Sequence, residues 1–264
     1  MAKNKKQDNR FFGVLSPAQL AEGITYCYEN ATSFLEESKM LLNGGKYARS
    51  VFLALGCIEE IGNAIILARM AGFPPERQEL WNREWENFYR HNYKVAEILS
   101  SSKGYKSLLS TVSDRPNIVE LSYSHDYLRE KSMFVEYEQA SKVWNIPLAF
   151  KENEAKVAIE MAEVTVEKRI FLKNDGFYSA RSFELKREFY KKIYNRLKNP
   201  NITLLDFEAM EDLSSEVNHS YFKKLVEEGI VNKSCRMTLG PITFKEYVEM
   251  PYELLKETKK RLSL

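Results

Sequence analysis

The segment Leu53–Ala68, LALGCIEEIGNAIILA, is apolar except for Asn63 and two adjacent glutamates at its centre. At about 100° per residue, Glu59 and Glu60 both lie between apolar side chains on a helix surface. A helix that is apolar nearly all round is a buried, central helix. Because a buried carboxylate is costly unless it is paired, this helix requires a basic or hydroxyl partner from elsewhere in the chain.

The residues before this segment predict a second helix that packs against it. Residues 16–19, SPAQ, form a capping box with proline at the first helical position, and Asn43-Gly44-Gly45 stops the helical periodicity. The central helix then runs from about Lys46 to Met70. The two helices are therefore expected to form an antiparallel hairpin with a tight turn.

The rest of the chain shows no convincing strand alternation, so we predict an all-α protein. A third helix carries Trp81, Trp85, Phe88, Asn92, Val95 and Leu99 on one face, and a polar loop follows over Ser100–Pro116. Further helices are predicted over residues 117–137, 152–174, 179–199, 204–229 and, interrupted at Pro251, 243–262. We divide the chain into a basic flexible tail (1–15), a helical bundle (16–175) and a helical C-terminal extension (176–264).

Composition excludes several classes of protein. The chain has 264 residues, of which 29% are charged and 44% hydrophobic, as in globular proteins. Its 39 basic and 37 acidic residues indicate no charged partner. No apolar run was found that approaches the ~18 residues of a membrane span, and the basic start precedes no signal-peptide core. Three unpatterned cysteines argue against a disulfide framework. We therefore expect a cytoplasmic protein without a membrane partner.

Motifs for metals and common cofactors are missing from the sequence. It has three histidines and neither HExxH nor CxxC, so no zinc site is predicted. It also lacks GxGxxG, a P-loop and GxSxG, which excludes the commonest nucleotide-binding and hydrolase classes. We expect no cofactor.

The residues 87–94, NFYRHNYK, offer the best partners for the two glutamates. His91 projects from the edge of the aromatic face, Lys94 lies one turn further along, and Arg90 is adjacent. A helix pair that brings the acids against these residues would combine a base, cations and carboxylates. Histidine can take the proton of an RNA 2′-hydroxyl, and a cation can stabilise the charged phosphorane, so such a cluster could cleave RNA without metal.

Each of these candidates also has a structural interpretation. Glu86, Arg90 and Lys94 have the spacing of an ordinary solvated ion-pair ladder, and the glutamates could belong to a buried ion pair without chemistry. His125 and Arg129, in SHDYLRE, could form a second polar patch or serve a structural role. The tryptophan stripe could stack bases, although its helical spacing is more typical of a core.

Three separate stretches resemble AbiV-type abortive infection proteins, which belong to the HEPN superfamily of α-helical domains. They are GGKYARSVFLALGCIEEIGNA (44–64), FYRHNYK (88–94) and LREKSMFVEY (128–137). The resemblance covers roughly Ser16–Lys173. It implies a helical bundle, commonly dimeric, that serves bacterial defence against phage. Many HEPN domains are metal-independent ribonucleases whose active site forms across a dimer interface.

The resemblance also assigns positions in this chain. Tyr47 matches the tyrosine of a G-x-Y stretch, Glu59-Glu60 the paired acids, His91 and Lys94 an H-x-x-K element, and Arg129-Glu130 the start of the later element. HEPN ribonucleases usually carry an arginine a few residues before the histidine. Here Arg83 lies further away and Arg90 is adjacent to His91.

The function predicted from these observations is that of an anti-phage protein, a metal-independent ribonuclease that halts growth or translation when a phage-encoded protein triggers it. RNA is the expected substrate, and a homodimer the expected assembly. The alternative is a non-catalytic HEPN-like module that binds a host or phage component, which the arginine spacing favours. A structural helical adaptor unrelated to defence is a third possibility.

Overall fold

A computed structural model describes residues 10–101, 118–134, 136–138, 142–145, 150–196, 204–235, 238–239 and 242–261. Within these ranges it contains ten helices and two short hairpins, which confirms the all-α prediction. The helices of the first part are α1 (Pro17–Asn43), α2 (Tyr47–Met70), α3 (Gln78–Phe88), α4 (His91–Ser101), α5 (Ile118–Met133) and α6 (Glu152–Asn174). Those of the second part are α7 (Ala180–Arg196), α8 (Leu204–Glu227), α9 (Phe244–Glu249) and α10 (Tyr252–Arg261).

The predicted hairpin of α1 and α2 is present with the predicted boundaries. Ser16 and Gln19 cap α1 reciprocally, each side chain accepting the other residue's backbone N–H. The chain then reverses through Gly44 and Gly45. Gly45 has a φ of 67°, a conformation that glycine adopts without steric cost, which explains why the turn is so short.

Helix α2 is the central helix of the bundle. It packs against α1, α4, α5 and α6, and most of its residues are buried. Contrary to the expectation that the chain has no apolar run of this length, α2 could span a membrane by length and hydropathy, but 67% of its most apolar window is buried inside the protein. Burial by neighbouring helices is the ordinary state of a core helix with this composition.

The predicted third helix is wrong in one respect, because it is two helices. Helix α3 ends at Phe88, and the N–H of Arg90 turns back to the carbonyl oxygen of Asn87. Helix α4 begins at His91. The two helices have different tertiary contacts: Trp85 of α3 donates to the carbonyl oxygen of Gly13, and α4 packs closely against α2 at Gly62.

The predicted fourth helix ends earlier than expected, at Met133. It is followed by an antiparallel pair, β1 (Glu136–Glu138) and β2 (Val143–Asn145). A second pair, β3 (Thr238–Leu239) and β4 (Ile242–Thr243), precedes α9. Neither pair was predicted, since strands of two or three residues are too short to show alternation. The polar loop predicted over Ser100–Pro116 lies almost wholly outside the described residues.

Buried side chains form two hydrophobic clusters. The larger joins α1, α2, α3, α4 and α6, and the smaller lies among α7, α8, α9 and α10. Lys186 of α7 links the two parts by donating to the carbonyl oxygen of Ala68, in the last turn of α2, at 2.6 Å. The domain boundary near residue 175 stays a prediction. Of the predicted tail, residues 10–15 are described, and Phe11 and Phe12 pack on the aromatic rings of Trp85 and Tyr89.

Candidate functional site

The candidate site lies where α4 and α5 meet α2, and a glycine permits the contact. A Cβ atom on Gly62 would lie 2.5 Å from the carbonyl oxygen of Lys94, far inside van der Waals distance. Helix α4 therefore approaches α2 more closely than any other residue at position 62 would allow. One turn before Lys94, this approach places His91 beside Glu59.

Glu59 and His91 form the shortest contact of the site. The Oε2 atom of Glu59 lies 2.6 Å from Nδ1 of His91. The Glu59 side chain is 9% exposed, whereas that of His91 is 45% exposed. The prediction that a basic residue of another helix pairs with one of the buried glutamates is confirmed for this pair. The carboxylate anchors one nitrogen of a ring that solvent can still reach.

The second oxygen of Glu59 faces α5. Its Oε1 atom lies 3.2 Å from Nε of Arg129, an ion pair that lacks the alignment of a hydrogen bond, and 4.0 Å from Nδ1 of His125. Nη2 of Arg129 also donates to Oδ1 of Asp126 at 3.3 Å. The sequence left open whether His125 and Arg129 form a second polar patch or serve a structural role. In the structure both lie beside Glu59 and His91, Arg129 as an ion-pair partner of Glu59 and His125 without a hydrogen bond to it. The physical reason is that α4 and α5 both pack against α2.

His125 is the most deeply buried ionisable group of this cluster. Burial lowers the pKa of its imidazole from 6.5 to about 4, and the charges of Arg129 and His91 act in the same direction. The charge of Asp126 and a weak contact with the backbone of Leu55 oppose this shift. His125 is therefore neutral at physiological pH. Neither of its ring nitrogens has a hydrogen-bond partner among the described residues.

Glu60 lies outside this cluster, in a second polar spot. It accepts a hydrogen bond from the side-chain amide of Asn63 at 3.3 Å. Burial raises the pKa of the Cys27 thiol to about 12, with the negative charge of Glu60 and a hydrogen bond to it as further causes. Burial and Glu60 likewise raise the pKa of Cys57 to about 12. Both thiols therefore stay protonated and unreactive.

The remaining predicted residues are not in contact with Glu59. The charge of Lys94 acts on Cys27, and its Nζ atom lies 5.6 Å from the centre of the Phe88 ring. The exposed Arg90 lies over the ring of Tyr93 at 5.7 Å. Tyr47 is the first residue of α2, far from Glu59 along the helix. The predicted pairing of the acids with Lys94 or Tyr47 is therefore not seen, whereas Arg90 and Lys94 flank His91 on the same short stretch of chain.

This arrangement suits proton transfer at His91. Because Nδ1 faces the Glu59 carboxylate, the neutral ring carries its proton there and leaves Nε2 as an acceptor. A carboxylate in this position orients the imidazole and stabilises the cation that forms when the ring takes a proton. Among the described residues, no group of three or more histidine, cysteine, aspartate or glutamate side chains could hold a metal ion.

Two contributors were missed by sequence reasoning. Gly62 was regarded only as part of an apolar helix, although a glycine inside a helix costs stability and so indicates a close contact. Asp126 was considered only with the separate patch, whereas it holds Arg129 against Glu59. The i, i+3 spacing of Asp126 and Arg129 is the signal that could have found this pair.

Comparison with known proteins gives the family of the chain. The family model of AbiV, a HEPN type, matches residues 19–186, which is more than half of the sequence. The matched range includes Glu59, His91, His125 and Arg129. No curated protein and no solved structure matches the chain. The chain belongs to the AbiV family of HEPN proteins.

Proposed function

We propose that this protein is a metal-independent ribonuclease that acts in abortive infection, with His91 as the general base. The observation that carries the proposal is the 2.6 Å contact between Oε2 of Glu59 and Nδ1 of His91, combined with the 45% exposure of the histidine. A carboxylate that orients an imidazole, and leaves part of the ring exposed, supports a role as general base.

The proposed reaction uses groups of this chain, the RNA and a proton from solvent. Nε2 of His91 takes the proton of a 2′-hydroxyl, and the resulting oxyanion attacks the neighbouring phosphorus. The bond to the 5′ oxygen breaks, and that oxygen takes up a proton from solvent. The products are a 2′,3′-cyclic phosphate and a 5′-hydroxyl. Arg90 and Lys94, which flank His91, supply positive charge for the phosphorane.

Charge balance in the cluster favours this role for His91. Glu59 and Asp126 contribute two negative charges and Arg129 one positive charge, while burial keeps His125 neutral. The cluster therefore carries one net negative charge before the reaction. An imidazolium formed at His91 during the reaction would lie 2.6 Å from the Glu59 carboxylate, which supplies its counter-ion.

The biological setting of the proposal comes from the family. In it, cleavage of cellular RNA halts growth or translation after phage infection, and a phage-encoded protein triggers the activity. We further propose a homodimer, because C2 pairing is the commonest assembly of such domains. The phage-encoded trigger and the homodimer both rest on the family resemblance.

The proposal is tested with the purified full-length protein, total RNA and tRNA in buffer containing EDTA. We expect cleavage to persist in EDTA and to leave 2′,3′-cyclic phosphate ends. A DNA strand of the same sequence lacks the 2′-hydroxyl and should stay intact. If RNA is bound but never cut, the alternative of a non-catalytic binding module takes the place of the ribonuclease.

A further inference from the structure

A cavity of about 710 Å³ opens at the start of α2, beside the end of α5. This volume lies within the ~300–1,000 Å³ of typical small-ligand sites. Its walls come from the α1–α2 turn, the first half of α2, the end of α5 and Phe150, two residues before α6. The residues that the argument uses are Lys46, Tyr47, Arg49, Phe52, Ser132 and Phe150.

The lining combines aromatic rings with uncompensated positive charge. Phe52, Phe150 and Tyr47 are half-buried, so their rings are partly available to a ligand. Lys46 and Arg49 are exposed, and no acidic residue is among the described residues that line the cavity. Within the described ranges, neither cation forms a salt bridge. Aromatic rings that stack a base, beside cations that bind phosphate, are how proteins hold single-stranded RNA.

The cavity lies close to the Glu59–His91 cluster along two helices. Ser132 follows Arg129 by three residues on α5, which corresponds to a rise of ~4.5 Å. Phe52 precedes Glu59 by seven residues on α2, a rise of ~10 Å. The two helices run antiparallel, since the end of α5 meets the start of α2 at the cavity. Neighbouring nucleotides of one strand could therefore occupy the cluster and the cavity together.

We propose that this cavity binds a nucleotide unit, with its base against Phe52 and Phe150 and its phosphate at Lys46 and Arg49. We favour the RNA strand cleaved at His91 as the molecule that supplies this nucleotide unit. This assignment rests on the proposed ribonuclease function. The cavity then selects which sequences are cut, because it holds a base beside the scissile bond. A free mononucleotide is the other ligand that carries the same base and phosphate.

Direct binding tests the cavity without any cleavage. Isothermal titration calorimetry measures the affinity of the full-length protein for AMP, GMP, CMP and UMP. We expect Lys46→Ala/Arg49→Ala to weaken binding at least ~10-fold, because the loss of one charged contact lowers affinity by about that factor. Phe52→Leu, which keeps an apolar side chain, should weaken it as well. The control Lys191→Ala/Lys192→Ala removes two exposed cations from α7 and should change nothing. Unchanged binding in both cavity variants overturns the proposal.

Cleavage kinetics then distinguish the two sources. If the nucleotide belongs to the RNA, Lys46→Ala/Arg49→Ala raises KM for a long single-stranded oligonucleotide ~10-fold, whereas the control Lys191→Ala/Lys192→Ala leaves KM unchanged. If mononucleotide binding is lost but cleavage of the long strand is unchanged, the RNA assignment is overturned and a free nucleotide is the ligand. If the wild type cuts no RNA, the ribonuclease proposal fails, while the calorimetry still decides whether the cavity binds nucleotides.

Discussion

Replacing Gly62 by alanine tests whether the close approach of α4 to α2 builds the site. The new Cβ atom would lie 2.5 Å from the carbonyl oxygen of Lys94 and 2.8 Å from its carbonyl carbon. Both atoms belong to the backbone, so no side-chain rotation relieves the clash. To restore an ordinary contact, α4 must move outward by about 1 Å.

Two effects of opposite sign determine the result. Alanine in place of glycine stabilises a helix interior by ~1 kcal/mol. Overpacking against a backbone costs ~1–3 kcal/mol, and we expect this cost to exceed the gain. The same outward movement lengthens the contact between Glu59 and His91, which starts at 2.6 Å. Gly62→Ala should therefore lose activity out of proportion to its loss of stability.

Gly56 provides the matched control, because it lies inside the same helix. A Cβ atom there would meet the ring of Phe34 at 3.3 Å, a side chain that can shift. Gly56→Ala gains the same helix propensity and should be neutral or slightly stabilising. Urea unfolding followed by circular dichroism, together with RNA cleavage in EDTA, compares the two variants. If Gly62→Ala is as stable and as active as Gly56→Ala, the close approach does not position His91.

Three further predictions concern the buried cluster and the assembly. Glu59→Gln leaves Arg129 with Asp126 alone. Because breaking a buried ion pair costs ~3–5 kcal/mol, urea unfolding should show that the free energy of unfolding falls by that order. An unchanged unfolding midpoint would mean that the pair contributes nothing to stability. The pKa of His125 is about 4 in the folded protein and 6.5 when unfolded, so the unfolded state binds more protons between these values. The free energy of unfolding should therefore fall by ~3 kcal/mol as pH drops from 6.5 to 4, and His125→Gln should flatten this dependence. If the variant and the wild type show the same pH profile, the lowered pKa of His125 is refuted. Light scattering at micromolar concentration should give the mass of a dimer, and a monomer mass would contradict the proposed assembly.

The central hairpin was predictable from sequence because its signals are local. The Ser16 capping box, the glycines after Asn43 and the apolar periodicity of α2 all act within a few residues. The break between α3 and α4 was not predictable in this way, since no glycine or proline marks it. The tertiary contacts around the break are distant in sequence, such as that of Trp85 with Gly13, a residue 72 positions earlier.

Within the candidate site, only the pairing of Glu59 with His91 was predictable from the sequence. The acidic pair inside an apolar helix required a basic partner, and His91 is that partner. That Arg129 pairs with the same carboxylate, and that His125 lies 4.0 Å from it, depends on how three helices pack, which periodicity does not determine. The same holds for Glu60: it is adjacent to Glu59, but the 100° turn of the helix carries it to a different neighbour, Cys27.

The most direct test of the account is the single-turnover rate of RNA cleavage in EDTA for the wild type and His91→Ala. Loss of a general base typically lowers a rate ~10²–10⁴-fold, and we expect a decrease in this range. The control Asn92→Ala alters the next residue of α4 and should cleave at the rate of the wild type. Circular dichroism checks that each variant is folded. A folded His91→Ala protein that cleaves RNA as fast as the wild type would contradict the account.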